Sequence, residues 1–526
     1  MVDILLVALN SKWIHASFGV RYLRANLREL RERSAIAEFE VSRRATDVAE
    51  AVLAASPRIV GIGVYVWNAV LVRDLVHVLK RVAPHVTVVL GGPEVSHETE
   101  AQEVCRLADH VVTGEADLAF ADLCRAILQG GKPPHVVAAP TPDPAALALP
   151  YDEYGDEDLR HRMVYVEASR GCPFTCEFCL SSLDDGVRRV PLEPFLAAMQ
   201  RLFERGLRNF KFVDRTFNLH VPTVQAILRF FHARQCEGLF LHFELIPDRL
   251  PDSLKPDIAA FPPGMVQFEV GIQTFDEAVA ARIARKQDAA RIEENLLWLR
   301  AHTGVHLHTD LIVGLPGEDR ATFARGFDRL WALRPQEIQV GILKRLRGAP
   351  ISHHDHAWGM VYHPEPPYEL LRNSVLSFDA MQEMKRFARY WDLVANSGRF
   401  PATLQLLMEA PSPFEAFAAF TRDAHARTGA VHGIALVRLA ELLWSHLCGT
   451  RGLDAACVGA ALAADWRHGG RHDWPDWLRP WMHPGDGDRS HLQQTVNRRA
   501  LRQQRHLGAG APPSSTDPEP RSARTP

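Results

Sequence analysis

Eleven short apolar, β-branched runs separated by helical stretches occupy residues 4–343, and that alternation admits few folds. Strands joined through intervening helices lie parallel, and the helices cover the faces of the sheet. The first series is ILLVAL (4–9), EFEVS (38–42), IVGIGV (59–64), VTVVL (86–90) and HVVT (110–113), a doubly wound, flavodoxin- or Rossmann-like α/β pattern. A Pro/Ala stretch at 132–150 breaks it. The second series is MVYVEAS (163–169), FKFVD (210–214), LHFELI (241–246), VQFEVGIQ (266–273), HLHTDLIVG (306–314) and EIQVGIL (337–343). Six βα units predict a partial (β/α)6, TIM-like barrel whose chemistry gathers at the carboxyl ends of its strands.

The expected organisation is an α/β domain over 1–135, a linker over 136–158, a barrel over 159–350, an α-helical domain over 351–482 and a disordered tail over 483–526. Helix is expected from about residue 366, on the apolar spacing of LLRNSVLSFDAMQEMKRFARYWDLV (370–394). The tail is too polar and rich in Pro, Ser and Arg to bury a core.

A length of 526 residues suits about three domains. Contents of 47% hydrophobic and 23% charged residues exclude a mainly disordered, collagenous or coiled-coil chain. Sixty basic against 63 acidic residues give a charge of -3, so no global field holds the chain to nucleic acid or an anionic membrane. The opening MVDILLVALN reaches Asp3 and Asn10 too soon for a signal peptide, and no apolar run approaches the roughly 20 residues of a membrane span. Eight cysteines are too few for a disulfide scaffold. A reducing cytoplasm, with neither nucleic acid nor membrane as partner, is the expectation.

In a doubly wound sheet, ligands bind outside the carboxyl ends of the strands. Those ends read NSKWIHASFG, VYVWN, GGPEVSH and GEAD, which makes Gly91, Gly92, Glu94, Gly114 and Glu115 candidate ligand contacts. Plain βα turns are the competing reading of the glycines.

The most informative motif follows the first strand of the second series. EASRGCPFTCEFC places Cys172, Cys176 and Cys179 as C-x3-C-x2-C. Three thiolates on one short loop suit a 4Fe-4S cluster, which then keeps one iron free of protein. Zinc and ordinary core cysteines are the alternatives, though structural zinc wants a fourth ligand.

The triad, Phe178 ahead of its last cysteine and the later barrel motifs resemble the radical S-adenosylmethionine (SAM) superfamily. The resemblance implies that the free iron chelates SAM, and that an electron from the cluster cleaves it to methionine and a 5'-deoxyadenosyl radical. FVDRTFN (212–218) stands where the superfamily's GGE motif meets the SAM amino group, so Asp214, Arg215 and Thr216 become cofactor candidates. Glu244 from the third strand, Glu269 and Gln273 from the fourth, and Arg285 after it join them. LIVGLPGE (311–318) resembles the element that cradles adenine, through Gly314 and Gly317.

Upstream of such a barrel, the N-terminal domain resembles a cobalamin-binding domain. The DxHxxG fingerprint of its histidine-ligated forms is absent, because His15 and Gly19 stand at a different spacing. Methylthiotransferases carry a second cysteine triad in their N-terminal domain, whereas Cys105 and Cys124 are too few for one. LKRLRGAPI and GMVYHPEPPYELL resemble cobalamin-type radical SAM proteins with a C-terminal domain of unknown function. The family implies a 4Fe-4S cluster, SAM and cobalamin as cofactors, a small-molecule or cofactor-like substrate, and an electron donor such as flavodoxin or ferredoxin. The implied reaction is methyl transfer to an unactivated carbon. Cobalamin-dependent cyclisation or oxidation, as in anaerobic porphyrin-ring cyclases, and a cluster-bearing sensor are the alternatives. SHHDH (352–356) reads as a solvated loop before a metal site, and Arg345 and Arg347 as structural ion pairs before anion contacts.

Overall fold

The computed structural model describes residues 2–184, 186–470, 473–482, 502–503 and 505–506. The chain forms two compact units, Met1–Ala388 and Arg389–Pro526.

The first unit begins with a parallel sheet of β1 (Ile4–Asn10), β2 (Ser34–Glu40), β3 (Ile59–Gly63), β4 (Thr87–Gly91), β5 (His110–Thr113) and β6 (Val136–Ala138), in the order β2-β1-β3-β4-β5-β6. Every residue of β1 is buried, because apolar cores cover both faces of the sheet. Leu5, Val7 and Leu9 enter one core while Ile4, Leu6 and Ala8 enter the other, the period-two alternation of a central strand. The sequence reading stops at five strands and begins a linker at 136. The structure instead pairs Val136–Ala138 with Val111–Thr113. A short strand flanked by prolines is tolerated at a sheet edge, where one side needs no hydrogen-bond partner.

The second sheet contains β7 (Val164–Val166), β10 (Asn209–Phe212), β11 (Phe240–Leu245), β12 (Val266–Gln273), β13 (His306–Val313) and β14 (Glu337–Ile342), parallel throughout and neighbouring in chain order. The run 163–169 is divided. After β7 the chain pairs β8 (Ser169–Arg170) antiparallel with β9 (Arg188–Arg189), and the cysteine loop lies between them.

Backbone and charge join the two sheets. Met163 N–H donates to the Ile14 carbonyl at 2.6 Å. Arg21 reaches Glu38 at 2.9 Å and Asp158 at 2.7 Å, while Arg162 reaches the same two carboxylates at 2.5 and 2.9 Å. All four side chains are at most 12% exposed.

Helix does not begin at 366. An antiparallel pair, β15 (Val361–Tyr362) and β16 (Leu370–Arg372), precedes it. The Asn373 carboxamide then accepts from the Val375 and Leu376 amides at 3.0 and 2.7 Å, a side-chain turn that competes with helix. The long helix Phe378–Trp391 follows.

Within the second unit lie helices Pro401–Met408, Pro413–Thr428, Leu436–Trp444 and Ala455–His468. Asp465 ties two of them together, accepting from the Ala402 and Thr403 amides and from the Thr403 hydroxyl. No described helix is long and apolar enough to cross a membrane. The expected disordered tail lies outside the described residues except at 502–503 and 505–506, where Arg502 donates to the Asn396 carbonyl at 2.7 Å.

Candidate active site

The cysteine loop is held from three directions. The Cys179 amide donates to the Cys176 carbonyl at 3.0 Å, closing a turn. Glu177, between them, donates its amide to Ile283 O, accepts from Ile351 N–H, and pairs its carboxylate with His354 at 2.5 Å. His354 thus buttresses the loop rather than standing free in solvent. Among the described residues no group of three or more His, Cys, Asp or Glu side chains is gathered tightly enough for a single metal ion, the run 352–356 included.

Cys172, Cys176 and Cys179 line one cavity of about 170 Å³, with Phe178, Arg215, Glu244, Glu269, Gln273 and Arg285 on its walls. Thiols distributed over a cavity wall fit the three-ligand attachment of an iron–sulfur cluster. Burial pushes the Cys172 and Cys176 thiols up, and Arg285, 3.7 Å from Cys176 Sγ, counteracts this at Cys176. The same guanidinium donates to the Gly271 carbonyl at 2.5 Å and to Gln287 at 2.7 Å, so it is fixed before any ligand arrives. Gln273 adopts φ +70° at a register shift in β12, and its Oε1 is buried with no hydrogen-bond partner among the described residues. A strained residue with an unsatisfied acceptor on this wall suits a donor supplied by a bound molecule.

The barrel carries a polar interior that the sequence reading misses. Register places Lys211, His242, Gln267 and His306 in one row, Glu244, Glu269, His308 and Glu337 in the next, and Gly271, Asp310 and Gln339 above. Branched aliphatic side chains usually fill such layers. Here Glu337 reaches His306 and His308 at 3.1 Å each, His308 lies 3.5 Å from Asp310, and His242 lies 3.0 Å from Glu269. Burial opposes charge on Glu269, yet His242, Lys211 and His308 hold it well below the usual carboxylate range. Burial likewise opposes charge on His308, but Asp310 and Glu337 raise it to about 10. Asp310 joins Glu244 and Glu269 on the cavity wall. The alternation His306, His308, Asp310 was the available signal, since period two puts all three on one face of a strand.

The other barrel candidates lie elsewhere. Asp214 is buried, accepts from the Ser169 hydroxyl at 2.6 Å and the Ala168 amide at 3.0 Å, and borders with Thr216 a separate cavity of about 140 Å³. Gly314 and Gly317 face side chains from within the same unit: an added Cβ would lie 2.5 Å from Leu370 at the first, and 2.6 Å from Arg282 and Trp358 at the second. Neither lines the cysteine cavity.

A larger cavity, about 730 Å³, opens at the carboxyl ends of β1, β3, β4 and β5 and is closed on its far side by barrel residues including Tyr165, Glu167 and Arg170. Gly91, Gly92, Gly114 and Glu115 line it. At Gly92, with φ +103°, a Cβ would lie 2.6 Å from the Val64 carbonyl, so only glycine allows this approach. Glu115 is paired with Arg188 and, at 3.1 Å, with Arg170. Glu94 is not on the wall: it is buried against Tyr368 at 2.6 Å and Arg347 at 3.0 Å. Arg347 and Arg345 also pair with Glu98, which gives both arginines a structural role. His15 lines the cavity with its Nδ1 2.6 Å from the Tyr165 hydroxyl. Volume, the glycine rim and mixed polar and apolar walls fit a large cofactor such as a corrinoid. The two cavities share Ser181 and Arg215, whose side chain is 54% exposed and meets Glu244 at 3.4 Å.

The B12 binding domain family matches residues 4–124, the Radical SAM superfamily residues 166–330, and a family described only as a protein of unknown function, DUF4080, residues 356–507. An uncharacterized methyltransferase, PH0819 of Pyrococcus horikoshii, is 29% identical over 38% of this chain and 49% of its own length. The ribosomal protein uS12 methylthiotransferase RimO of Nitratiruptor sp. is 26% identical over 30% of this chain and 38% of its own. The chain thus spans about half or less of these curated relatives. The structure of TsrM, a radical SAM methyltransferase from Kitasatospora setae with cobalamin and a 4Fe-4S cluster bound, superimposes with a TM-score of 0.56 and 15% identity, covering 79% of this chain and 81% of that one. OxsB, a cobalamin-dependent SAM radical enzyme, does so with a TM-score of 0.56 and 12% identity over 89% and 79%. The fold is therefore that of cobalamin-dependent radical SAM enzymes, and the matched domains imply a 4Fe-4S cluster, SAM and cobalamin.

Proposed function

With a B12-binding domain over 4–124 and a radical SAM domain over 166–330 as premise, we propose that this chain is an enzyme that transfers a methyl group to an unactivated carbon of a small molecule. The observation that carries this reading is the shared wall of the two cavities, since a substrate against Ser181 and Arg215 would touch both cofactor sites at once. When bound, the cluster supplies the electron that cleaves SAM, and cobalamin carries the methyl group.

The chain's own residues bind, orient and exclude water. Cys172, Cys176 and Cys179 would hold the cluster, and Arg285 stands fixed beside Cys176. Glu244, Glu269, Asp310 and the orphaned Gln273 carbonyl offer acceptors to the donor groups of SAM and substrate. Gly91, Gly92 and Gly114 admit the corrinoid close to backbone, while the residues of the polar barrel interior hold Glu269 and Asp310 in place. Cys105 and Cys124 are buried in the two cores of the N-terminal sheet, where burial raises their thiols to about 11 and about 12. They are not placed to hold the second cluster of methylthio chemistry. The proposed setting is a reducing cytoplasm, with a flavodoxin- or ferredoxin-like protein as the donor of the electron that SAM cleavage requires.

The test is anaerobic reconstitution with iron, sulfide and hydroxocobalamin, followed by product analysis with candidate substrates. Methyl transfer by this route yields both S-adenosylhomocysteine and 5'-deoxyadenosine alongside methylated product. Turnover giving 5'-deoxyadenosine alone, with no methyl group in the product, would mean cyclisation or oxidation instead. A colourless, zinc-loaded protein would reject the enzyme reading.

A further inference from the structure

Two arginines stand directly across from each other at the root of the cysteine loop. Arg170 of β8 is in register with Arg188 of β9, and the loop carrying Cys172, Cys176 and Cys179 lies between these strands. At the neck of that loop Gly171, with φ +89°, comes so near the returning chain that an added Cβ would lie 2.1 Å from the Gly186 carbonyl. Like charges on opposed residues of an antiparallel pair repel, so a hairpin built this way needs counter-charge from outside itself.

The counter-charge comes from the loop after β5 in the N-terminal sheet. The Glu115 carboxylate accepts from Arg170 at 3.1 Å and, through both of its oxygens, from Arg188. Asp117 takes a bidentate bond from Arg170, at 2.9 and 3.1 Å. Nε of Arg170 donates to Glu167 at 2.7 Å, and the guanidinium lies 4.4 Å from the centre of the Tyr22 ring on helix Phe18–Ala25. Every nitrogen of this guanidinium is thus bonded to a carboxylate, and the side chain is 14% exposed. Glu115 and Asp117 also line the cavity of about 730 Å³. The same two carboxylates therefore form part of the corrinoid wall and hold the hairpin from which the cysteine loop springs.

We infer that Arg170 is a positioning residue that fixes the separation of the two metal centres, its planar fork locking the rim of the large cavity to the neck of the cysteine loop. A substrate that must be reached from both centres tolerates little play between them. Lysine would match the charge of Arg170 but not the fork. The inference rests on the reading that the chain holds both a 4Fe-4S cluster and cobalamin.

The experiment is electron paramagnetic resonance of the full chain, reconstituted with iron, sulfide and hydroxocobalamin and then reduced so that the cluster and cob(II)alamin are both paramagnetic. Coupling between the two spins splits the cobalt signal by an amount that falls steeply with their separation, and the same protein with its cluster oxidised supplies the unsplit reference. The wild type should give one sharp splitting. Arg170→Lys and Asp117→Asn should retain iron and corrinoid while the splitting broadens. Should either fail to fold, Glu115→Gln, which leaves the bond between Asp117 and Arg170 in place, should broaden it to a lesser degree. A splitting that stays sharp in these variants, whatever their loss of melting temperature, would reduce Arg170 to a structural ion pair and overturn the inference. Wild-type protein that holds both cofactors without any splitting would overturn it as well. Wild-type protein that retains no cluster or no corrinoid would reject the underlying reading, an outcome distinct from the other two.

Discussion

The Ser169 hydroxyl donates to the Asp214 carboxylate at 2.6 Å and thereby fastens the end of β10 to the chain three residues ahead of Cys172. Burial lifts this carboxyl from 3.8 to about 7, although Ser169 and the Ala168 amide oppose the shift. Between those values the folded protein keeps a proton that the unfolded chain has lost, so stability falls as pH rises through the window and levels off above about 7. Glu318, raised from 4.5 to about 8 by burial, acts in the same direction. Asp214→Asn should therefore flatten the loss of thermal stability across this window. An unchanged slope in calorimetry would sink the assignment.

Glu38 holds the joint between the sheets. Burial opposes its charge, but Arg21 and Arg162 lower it to about 2. Its contribution is present above 4.5, the unfolded value, and is lost as pH falls through about 2. Removing one partner of a buried ionic group leaves the others uncompensated, so Glu38→Gln should cost about 3–5 kcal/mol. Urea unfolding checks this, and a loss under about 1 kcal/mol would place the pairs in the weak class of surface bridges.

Gly92 and Gly130 both have positive φ, but only Gly92 has backbone within reach of an added Cβ; nothing stands within 4 Å at Gly130. Gly92→Ala should destabilise by about 1–3 kcal/mol and weaken corrinoid retention, leaving iron content intact. Gly130→Ala should cost no more than about 1–2 kcal/mol of backbone strain. Equal losses at the two positions would remove the role assigned to the Val64 contact.

Replacing Cys172, Cys176 and Cys179 with Ala should abolish the visible absorbance of the reconstituted cluster and bring SAM cleavage to background. Corrinoid binding should persist, because the large cavity is lined by none of the three. Persistent cluster absorbance in the triple variant would disconnect the loop from the metal.

Much of this molecule is legible in its sequence because period and punctuation report backbone directly. All strands of the two sheets but β6, and the cysteine loop, follow from apolar runs and from Cys spacing. The sixth strand at Val136–Ala138 is not legible, since its pairing with Val111 is a tertiary event inside a Pro-rich stretch. The reading of helix from 366 fails because local side-chain hydrogen bonds at Asn373 outweigh apolar spacing. Motif position alone does not tell which way a side chain turns. Arg215 faces the cavities while its neighbour Asp214 faces Ser169, and Glu94 leaves the glycine rim for Tyr368. The charged barrel interior is missed for a related reason: the apolar residues of a run such as HLHTDLIV mark it as a strand, but period alone does not say that its polar face turns inward.

That interior restricts how the chain can change over evolutionary time. Glu337 serves His306 and His308 at once, and His308 also serves Asp310. A lineage that loses Glu337 takes a carboxylate from two buried imidazoles at once, and one that loses His308 takes a partner from two buried carboxylates. Change at Glu337 or at His308 alone is costly, so in homologous chains the four should be kept together or exchanged together for apolar residues.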